Sequence, residues 1–503
     1  MKGDFSRETF DRTKHFSRVL MQQGRAQLDA DWNEQAAILL HYLRTLTADL
    51  IGPFAGPAGD SQGFKIGDTD ISSKDFSIGK GRYYVDGILC ENDMENIRYN
   101  NQQDYPNPPP LDLDTRKTYL VYLDVWEHHI TALEDDSIRE KALGGSDTAS
   151  RAKVVWQVKL WDTAIIGTPP LDGDADKVGQ IRDNWQEWIQ QESWQPRYLG
   201  CLKAQVKQPD DSHDPCLTAP EAKYRGPENQ LYRVEIHTGG EVGVDKVTFK
   251  WSRDNGATVT GCQSSGTELT VHNPRGFAAN QWVELTNEGQ ELRGKPGVLV
   301  KVTKVDTVTL TLEKSVSKPA DVPDTEDWPT KVRRWDQSEK GGTTLAEDRA
   351  VMVQESTKDW IDVEDGIQIQ FVLNKKKPNR YRTGDYWLIP ARVATGNIEW
   401  PLKLKESGEP ERDADGNTIP LPRPPHGIHH HYAPLAILTF GNTWNVNDCR
   451  CVFPTVNKCG LPSHGEEGMG GTPACASESA DTRNKLAYLP KKVPSPPKKS
   501  KPK

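Results

Sequence analysis

No window of the sequence offers the 18 or so consecutive apolar residues of a membrane span, and apolar side chains make up only 35% of its 503 residues, which excludes a helical membrane protein as the class. Nor does the start, Met1 to Phe10, carry the basic stretch and apolar run of a secretory signal, so synthesis and assembly in the cytoplasm are expected. Net positive charge is lacking too: at −9 the chain has no general basic character, which argues against a nucleic-acid partner. Familiar catalytic signatures are missing. There is no G-x4-G-K-[ST] phosphate loop, no G-x-G-x-x-G, no H-E-x-x-H and no G-x-S-x-G, which lowers the expectation of an enzyme without excluding one. No segment repeats at a period of roughly 20 to 50 residues, against a solenoid or propeller.

What is present is turn chemistry. With 41 Gly and 35 Pro the chain reads as mainly β, and its length implies about two to four units around separate cores. Residues 1–52 read as an N-terminal docking arm and helix. The arm breaks at Gly24, where a positive φ would let the chain turn, and Asp31 with Glu34 resembles a capping box. Trp32, Ala36, Leu39, Leu40, Leu43, Leu46 and Leu50 then recur at helical spacing until Gly52-Pro53, so one apolar face needs a cover. Residues 53–75 read as a Gly/Pro linker.

From Phe76 the period becomes two. Residues 76–264 read as the first part of a large antiparallel β body. Its hairpin turns at Asp86-Gly87, and a central strand, "TYLVYLDVWEHHITALE", is apolar on both faces. A polar insertion covers about 163–230, with one helical candidate at "RDNWQEWIQQESW". Residues 265–315 read as a small inserted β barrel or sandwich, alternating Val298, Val300, Val302 against Val308, Leu310, Leu312. Residues 316–445 resume the body. The tail, 446–503, holds cysteines and ends in "LPKKVPSPPKKSKPK", whose five prolines and six lysines cannot bury a core and are expected to be extended or disordered.

Candidate chemistry is thin. Asp124, Glu127, Glu134 and Asp135 with His128 and His129 could form an acid/base set, with Asp124 and His128 on one strand face; a strand end leaving the core explains them as well. His426, His429 and His431 are weak metal candidates, as are Cys449, Cys451, Cys459 and Cys475, because neither group shows paired C-x2-C or His/carboxylate spacing. The body cysteines Cys90, Cys201, Cys216 and Cys262 suit reduced thiols. Among the fifteen tryptophans, Trp161, Trp185, Trp188, Trp194 and Trp444 could stack on sugars, whereas Trp126, Trp156, Trp251 and Trp387 lie in strand patterns and fill a core. No cofactor is expected.

The segments "MKGDFSRETFDRTKHFSRVLMQQGRAQLDADWNEQ", "TYLVYLDVWEHHITALED", "ALGGSDTASRAKVVWQV", "YRGPENQLYRVEIHTGG", "FKWSRDNGATV", "VRRWDQ" and "TGDYWLIPARVATGNIEWP" together resemble a family of functionally uncharacterised bacterial proteins encoded with phage-tail-like contractile injection systems. The similarity spans about residues 1–455, in the family's order. The opening also resembles the N-terminal arms of phage baseplate and fibre proteins, where a "QPGR…D.ELNE"-like stretch precedes a helix. This resemblance implies a structural subunit at the baseplate, the spike periphery or a cage around the spike, present in several copies and docked on other injection-system subunits through residues 1–50. It supplies no catalytic residues. The apolar anchors of that contact would be Phe5, Phe16, Val19, Leu20 and Met21 on the arm and Trp32, Leu39, Leu43 and Leu46 on the helix, with Arg25 beside the break a further interface residue. It also implies a particle assembled in the cytoplasm and then released or held at a membrane, with the basic tail a candidate for contact with an anionic membrane or surface. The alternatives are a glycan- or membrane-binding module of the same particle and, third, a cell-wall polysaccharide hydrolase.

Overall fold

The computed structural model describes residues 1–70, 73–111, 118–162, 177–190, 200–207, 223–338, 343–440 and 444–454. Its architecture is mainly β and nested. Helix α1, Asp29–Ile51, starts three residues earlier than the Asp31 box predicts, with Leu28 rather than Asp31 at the N-cap. Leu28 at its N-cap makes no side-chain cap. Asp29 and Asp31 in the first turn favour the positive end of the helix instead, and the arm supplies partners: Ser6 N–H donates to Asp29 Oδ2 at 2.8 Å and Thr9 Oγ1–H to Glu34 Oε2 at 2.6 Å. Gly24 has φ of +71° with open space around it, so conformation alone requires glycine there.

The expected linker is structure. β1, Phe54–Pro57, follows the helix directly and buries Phe54 and Ala55. Glycine composition reads as flexibility, yet here it serves close packing: a Cβ on Gly63 would stand 2.4 Å from the backbone of Gly81. β2, Gly81–Val85, and β3, Ile88–Asn92, form a hairpin through Asp86-Gly87, both with positive φ as a type I′ turn demands. β4, Thr118–Ile130, pairs along its length with β5, Arg151–Asp162, and buries Leu120, Val121, Leu123 and Val125. Helix α2, Lys177–Ile189, adds Ile181, Trp185 and Trp188 to the same core.

The chain then builds a second body. β6, Leu202–Val206, β7, Gln230–Thr238, and β8, Thr248–Ser252, belong to two sheets that close on a core of their own. Asn255-Gly256, both at positive φ, is not a hairpin turn; it hands the chain from β8 into a closed barrel. The barrel strands are β9, Val259–Ser265; β10, Glu268–Val271; β11, Trp282–Thr286; β12, Val298–Val305; β13, Thr309–Leu312; and β14, Lys331–Trp335, with a short helix α3, Glu288–Leu292, after β11. It is wider than 265–315 because its first and last strands come from outside that range. Inside lie Cys262, Leu269, Val271, Val283, Leu285, Val300, Val302, Leu310, Leu312 and Val332, contributed by all six strands.

β15, Ile367–Val372, pairs with β6, and β16, Tyr386–Arg392, with β7, completing the second body. Finally β17, His431–Phe440, pairs with β4; β18, Trp444–Asp448, pairs with β17; and β19, Val452–Phe453, lies parallel to β1. The barrel is thus nested in the second body, and the second body in the first. Met1–Thr455 form one compact unit. The Lys/Pro tail falls outside the described residues, as do Cys216 and Trp194.

Candidate functional site

Strand β7 shows where the molecule departs from an ordinary sandwich. Tyr232, Val234 and Ile236 point into the second core, and Phe249 and Trp251 of β8 join them. The alternate residues, Arg233, Glu235 and His237 of β7 and Lys250 of β8, belong on the opposite face, which a sheet normally gives to water. Here they are buried, none more than 3% exposed. The barrel covers them with the outer face of β11 and β14, Glu284, Arg333 and Trp335, and the first residues of the chain fill the seam.

The contacts form one network. Lys250 Nζ lies 2.5 Å from Glu284 Oε1 and 3.3 Å from Glu235 Oε1, and 4.4 Å above the Trp335 ring. Trp335 Nε1–H donates to Glu284 Oε2 at 2.8 Å, and Gly297 N–H to Oε1 at 3.0 Å. Arg233 donates through Nε to Glu235 Oε2 at 2.6 Å, donates to the Asn255 amide oxygen at 3.2 Å, and lies 3.6 Å over the Tyr386 ring. Lys2 Nζ pairs with Glu235 at 3.2 Å. Asn255 Nδ2–H holds the carbonyls of Met1 and Gly3 at 3.2 and 2.9 Å, and the Met1 amine donates to the Tyr386 hydroxyl at 2.8 Å.

Electrostatics follow from that geometry. Burial pushes the Glu235 carboxyl up, but Lys2, Arg233 and Lys250 outweigh it and hold the group well below the usual range. Glu284 is likewise drawn down, against burial, to about 2 by Lys250, Lys2 and His237. His237 falls to about 4, chiefly through burial and then the charge of Lys250, so its ring is neutral at neutral pH. Both carboxylates are ionised and engaged on each oxygen. Such a cluster can clamp sheet, barrel and arm into one body, while its carboxylates have no proton to donate.

The residues singled out in the sequence go to different places. Asp124 does not meet His128: its carboxylate takes Lys159 at 2.6 Å and His430 Nδ1 at 2.7 Å, while His128 faces Glu288 at 2.9 Å. The histidine group is dispersed. His426 stacks on Tyr386 at 5.9 Å between ring centres, and His431 Nδ1 lies 2.8 Å from Asp86 Oδ2. Cys449 is buried with its thiol raised to about 12, and Cys451 is half-buried; His429 joins no metal-sized cluster among the described residues, and Cys459 and Cys475 lie outside them. Among the described residues, His128, Glu288 and Glu291 are the set close enough to share a metal ion, but Lys331 already occupies the role of the cation. Its ammonium bonds Glu288, Glu291 at 2.8 Å and Glu134 at 2.6 Å. Trp185 and Trp188 are fully buried and offer no face to a sugar.

The expected interface residues divide. Phe5 turns inward and meets His129 edge to face, with 6.0 Å between ring centres. Phe16, Leu20, Met21 and Arg25 are exposed on the arm, and on α1 Trp32 is 79%, Leu43 61% and Leu50 74% exposed, with Leu39 and Leu46 open as well. Ala30 and Ile38 are the buried residues of that helix.

A family model described as "Family of unknown function (DUF6519)" matches residues 1–171 and 195–467. The chain belongs to that family. Neither the curated proteins nor the solved structures offer a match. The matched ranges take in both β bodies, the barrel, the arm and α1, so the charged junction and the exposed helix both fall within the family's extent. No helix among the described residues is long and apolar enough to cross a membrane.

Proposed function

We propose that this chain is a structural subunit of a contractile, phage-tail-like injection particle, placed at the baseplate, the spike periphery or a cage around the spike, and that it meets neighbouring subunits through the arm and the outer face of α1. The observation that carries the reading is the row of large apolar side chains on α1 that stands exposed among the described residues. Its siting in an injection particle rests on the resemblance of the quoted segments. In this reading the protein is not a catalyst. The charged junction fixes the arm's first residues to the body, so that residues 8–28 and α1 are presented from a rigid base.

Point variants on α1 test it better than truncation, since removing the first residues would also strip Lys2 from Glu235 and two carbonyls from Asn255. Leu46→Glu is expected to fold with an unchanged thermal transition and to be lost from particles recovered from cells that make them. Recovery of the variant at wild-type levels, or absence of the wild-type chain from any particle, would overturn the proposal.

A further inference from the structure

The outward row on α1 is regular as well as apolar. Trp32, Ala36, Leu39, Leu43, Leu46 and Leu50 are spaced 4-3-4-3-4. That is the 3.5-residue period of a coiled-coil seam, narrower than the face by which a helix packs on a globular core. All six are exposed. The face turned the other way carries Ala30, Ala37 and Ala48 with Ile38, and Arg44 there reaches Glu127 at 2.8 Å. Apart from Ile38 and Arg44, small side chains therefore face the protein's own core and the large apolar ones point away, the reverse of an ordinary surface helix.

We infer that α1 pairs with α1 of a second copy of this chain in an antiparallel, two-fold coiled-coil contact. The spacing reads the same in both directions about His41. A two-fold axis level with that residue, on the seam side between Leu39 and Leu43, sets Trp32 against Leu50, Ala36 against Leu46, and Leu39 against Leu43 of the second copy. A self-complementary patch of this kind is what a two-fold dimer requires. The area suffices: the seam with its flanking Leu40 and Tyr42 leaves on the order of 800 Å² of apolar surface open, above the roughly 300–600 Å² of the largest patch on a typical monomer and near the roughly 800 Å² each partner contributes to a standard interface.

Charge selects the occupant. Residues beside the seam are Asn33, Gln35, Leu40, Tyr42, Thr47 and Asp49, so a single charge flanks it and nothing there repels an identical helix or selects a differently charged one. An anionic bilayer is disfavoured, because α1 carries Asp29, Asp31, Glu34 and Asp49 against Arg44 alone. Antiparallel pairing also sets opposite helix dipoles side by side.

This inference names the partner for the surface on which the assembly role rests, and the two can fail separately. Sedimentation velocity of the full chain at micromolar concentration is expected to give a dimer, and Leu43→Glu to weaken association by at least a hundredfold with its thermal transition kept. Val244→Asp, at an apolar residue 76% exposed elsewhere, should leave the dimer intact. A second arm needs no disruptive change: mixing Leu39→Cys chains with Leu43→Cys chains under mild oxidation should join the two α1 peptides, read by mass spectrometry, more readily than either variant alone. A monomeric wild type, a dimer indifferent to Leu43→Glu, or a crosslink formed best by Leu43→Cys alone would overturn the antiparallel pair. If Leu43→Glu is monomeric yet still enters particles, pairing stands and docking through α1 falls. If the wild type is monomeric but Leu46→Glu is lost from particles, docking stands and pairing falls.

Discussion

Replacing Glu284 should loosen the barrel from the second body, by an amount that the contacts set. Its carboxylate accepts from Lys250, from the Trp335 indole and from Gly297, all within a buried site. Leucine in its place leaves the indole and the Gly297 amide without an acceptor, at about 1–3 kcal/mol each, and removes one charged hydrogen bond from Lys250. The ammonium is not orphaned, since Glu235 Oε1 remains 3.3 Å away. The expected loss for Glu284→Leu is therefore about 3–5 kcal/mol, in the range seen when one member of a buried pair is removed. Glu284→Gln keeps one amide oxygen for a single donor and should cost about 2–3 kcal/mol. The deficit also depends on pH. A folded-state value of about 2, below the 4.5 of the unfolded chain, contributes stability present above pH 4.5 and lost as pH falls toward 2. At pH 3.5 the gap between wild type and Glu284→Gln should thus be narrower than at pH 7 by about 1 kcal/mol. Urea unfolding followed by tryptophan fluorescence at both pH values measures this, because Trp335 sits in the cluster. A loss under about 1 kcal/mol for leucine, or a glutamine gap that does not change with pH, would refute the junction as a charge-held clamp.

Two further outcomes follow from other parts of the molecule. A Cβ at Gly87 would lie 2.1 Å from the Arg44 carbonyl oxygen, and φ there is +78°, so Gly87→Ala should destabilise by about 2 kcal/mol or more and displace α1; Gly24→Ala, at φ +71° in open space, should cost only about 1 kcal/mol, a contrast readable from thermal unfolding. Glu364 is raised to about 7, first by burial and then by Asp336 and Asp365, although Arg253 opposes the shift; stability tied to it is present at low pH and lost as pH rises from 4.5 through 7. Between pH 5 and pH 8, Glu364→Gln should gain about 1–2 kcal/mol on the wild type after allowance for partial exposure, and a constant difference between the two pH values would contradict the assignment.

Much of the fold was legible because its cues are local. The Asp86-Gly87 dipeptide between alternating runs specifies a tight hairpin, and the doubly apolar run from Leu120 to Val125 specifies an interior strand. Both are present. Residues 53–75 misled for a physical reason: glycine marks flexible chain and close backbone approach with the same letter, and only the neighbour at Gly81 tells them apart. The barrel's edges were hidden similarly. "VRRW" and "VTGC" alternate as any strand does, and pairing across a long sequence separation decides which sheet owns them.

The α1 row and the charged junction differ in legibility for the same reason. The α1 row is a property of one helix, so spacing and size display it without any tertiary contact; what the structure adds is that, among the described residues, the row stands exposed. The charged junction is a property of three segments at once. Arg233, Glu235 and His237 alternate with apolar residues as the solvent face of an edge-on sheet would, and Lys250 and Glu284 read as surface charges on their own strands. They become a buried network because the barrel is inserted between β8 and the remainder of the second body, and that insertion folds its polar outer wall back onto the sheet. A polar rather than apolar seam lets two bodies with separate cores be joined in one register, since each charge accepts a partner only at a specific distance and angle. That fixed register also holds the first residues of the arm, Met1 to Gly3, in a defined place at the junction.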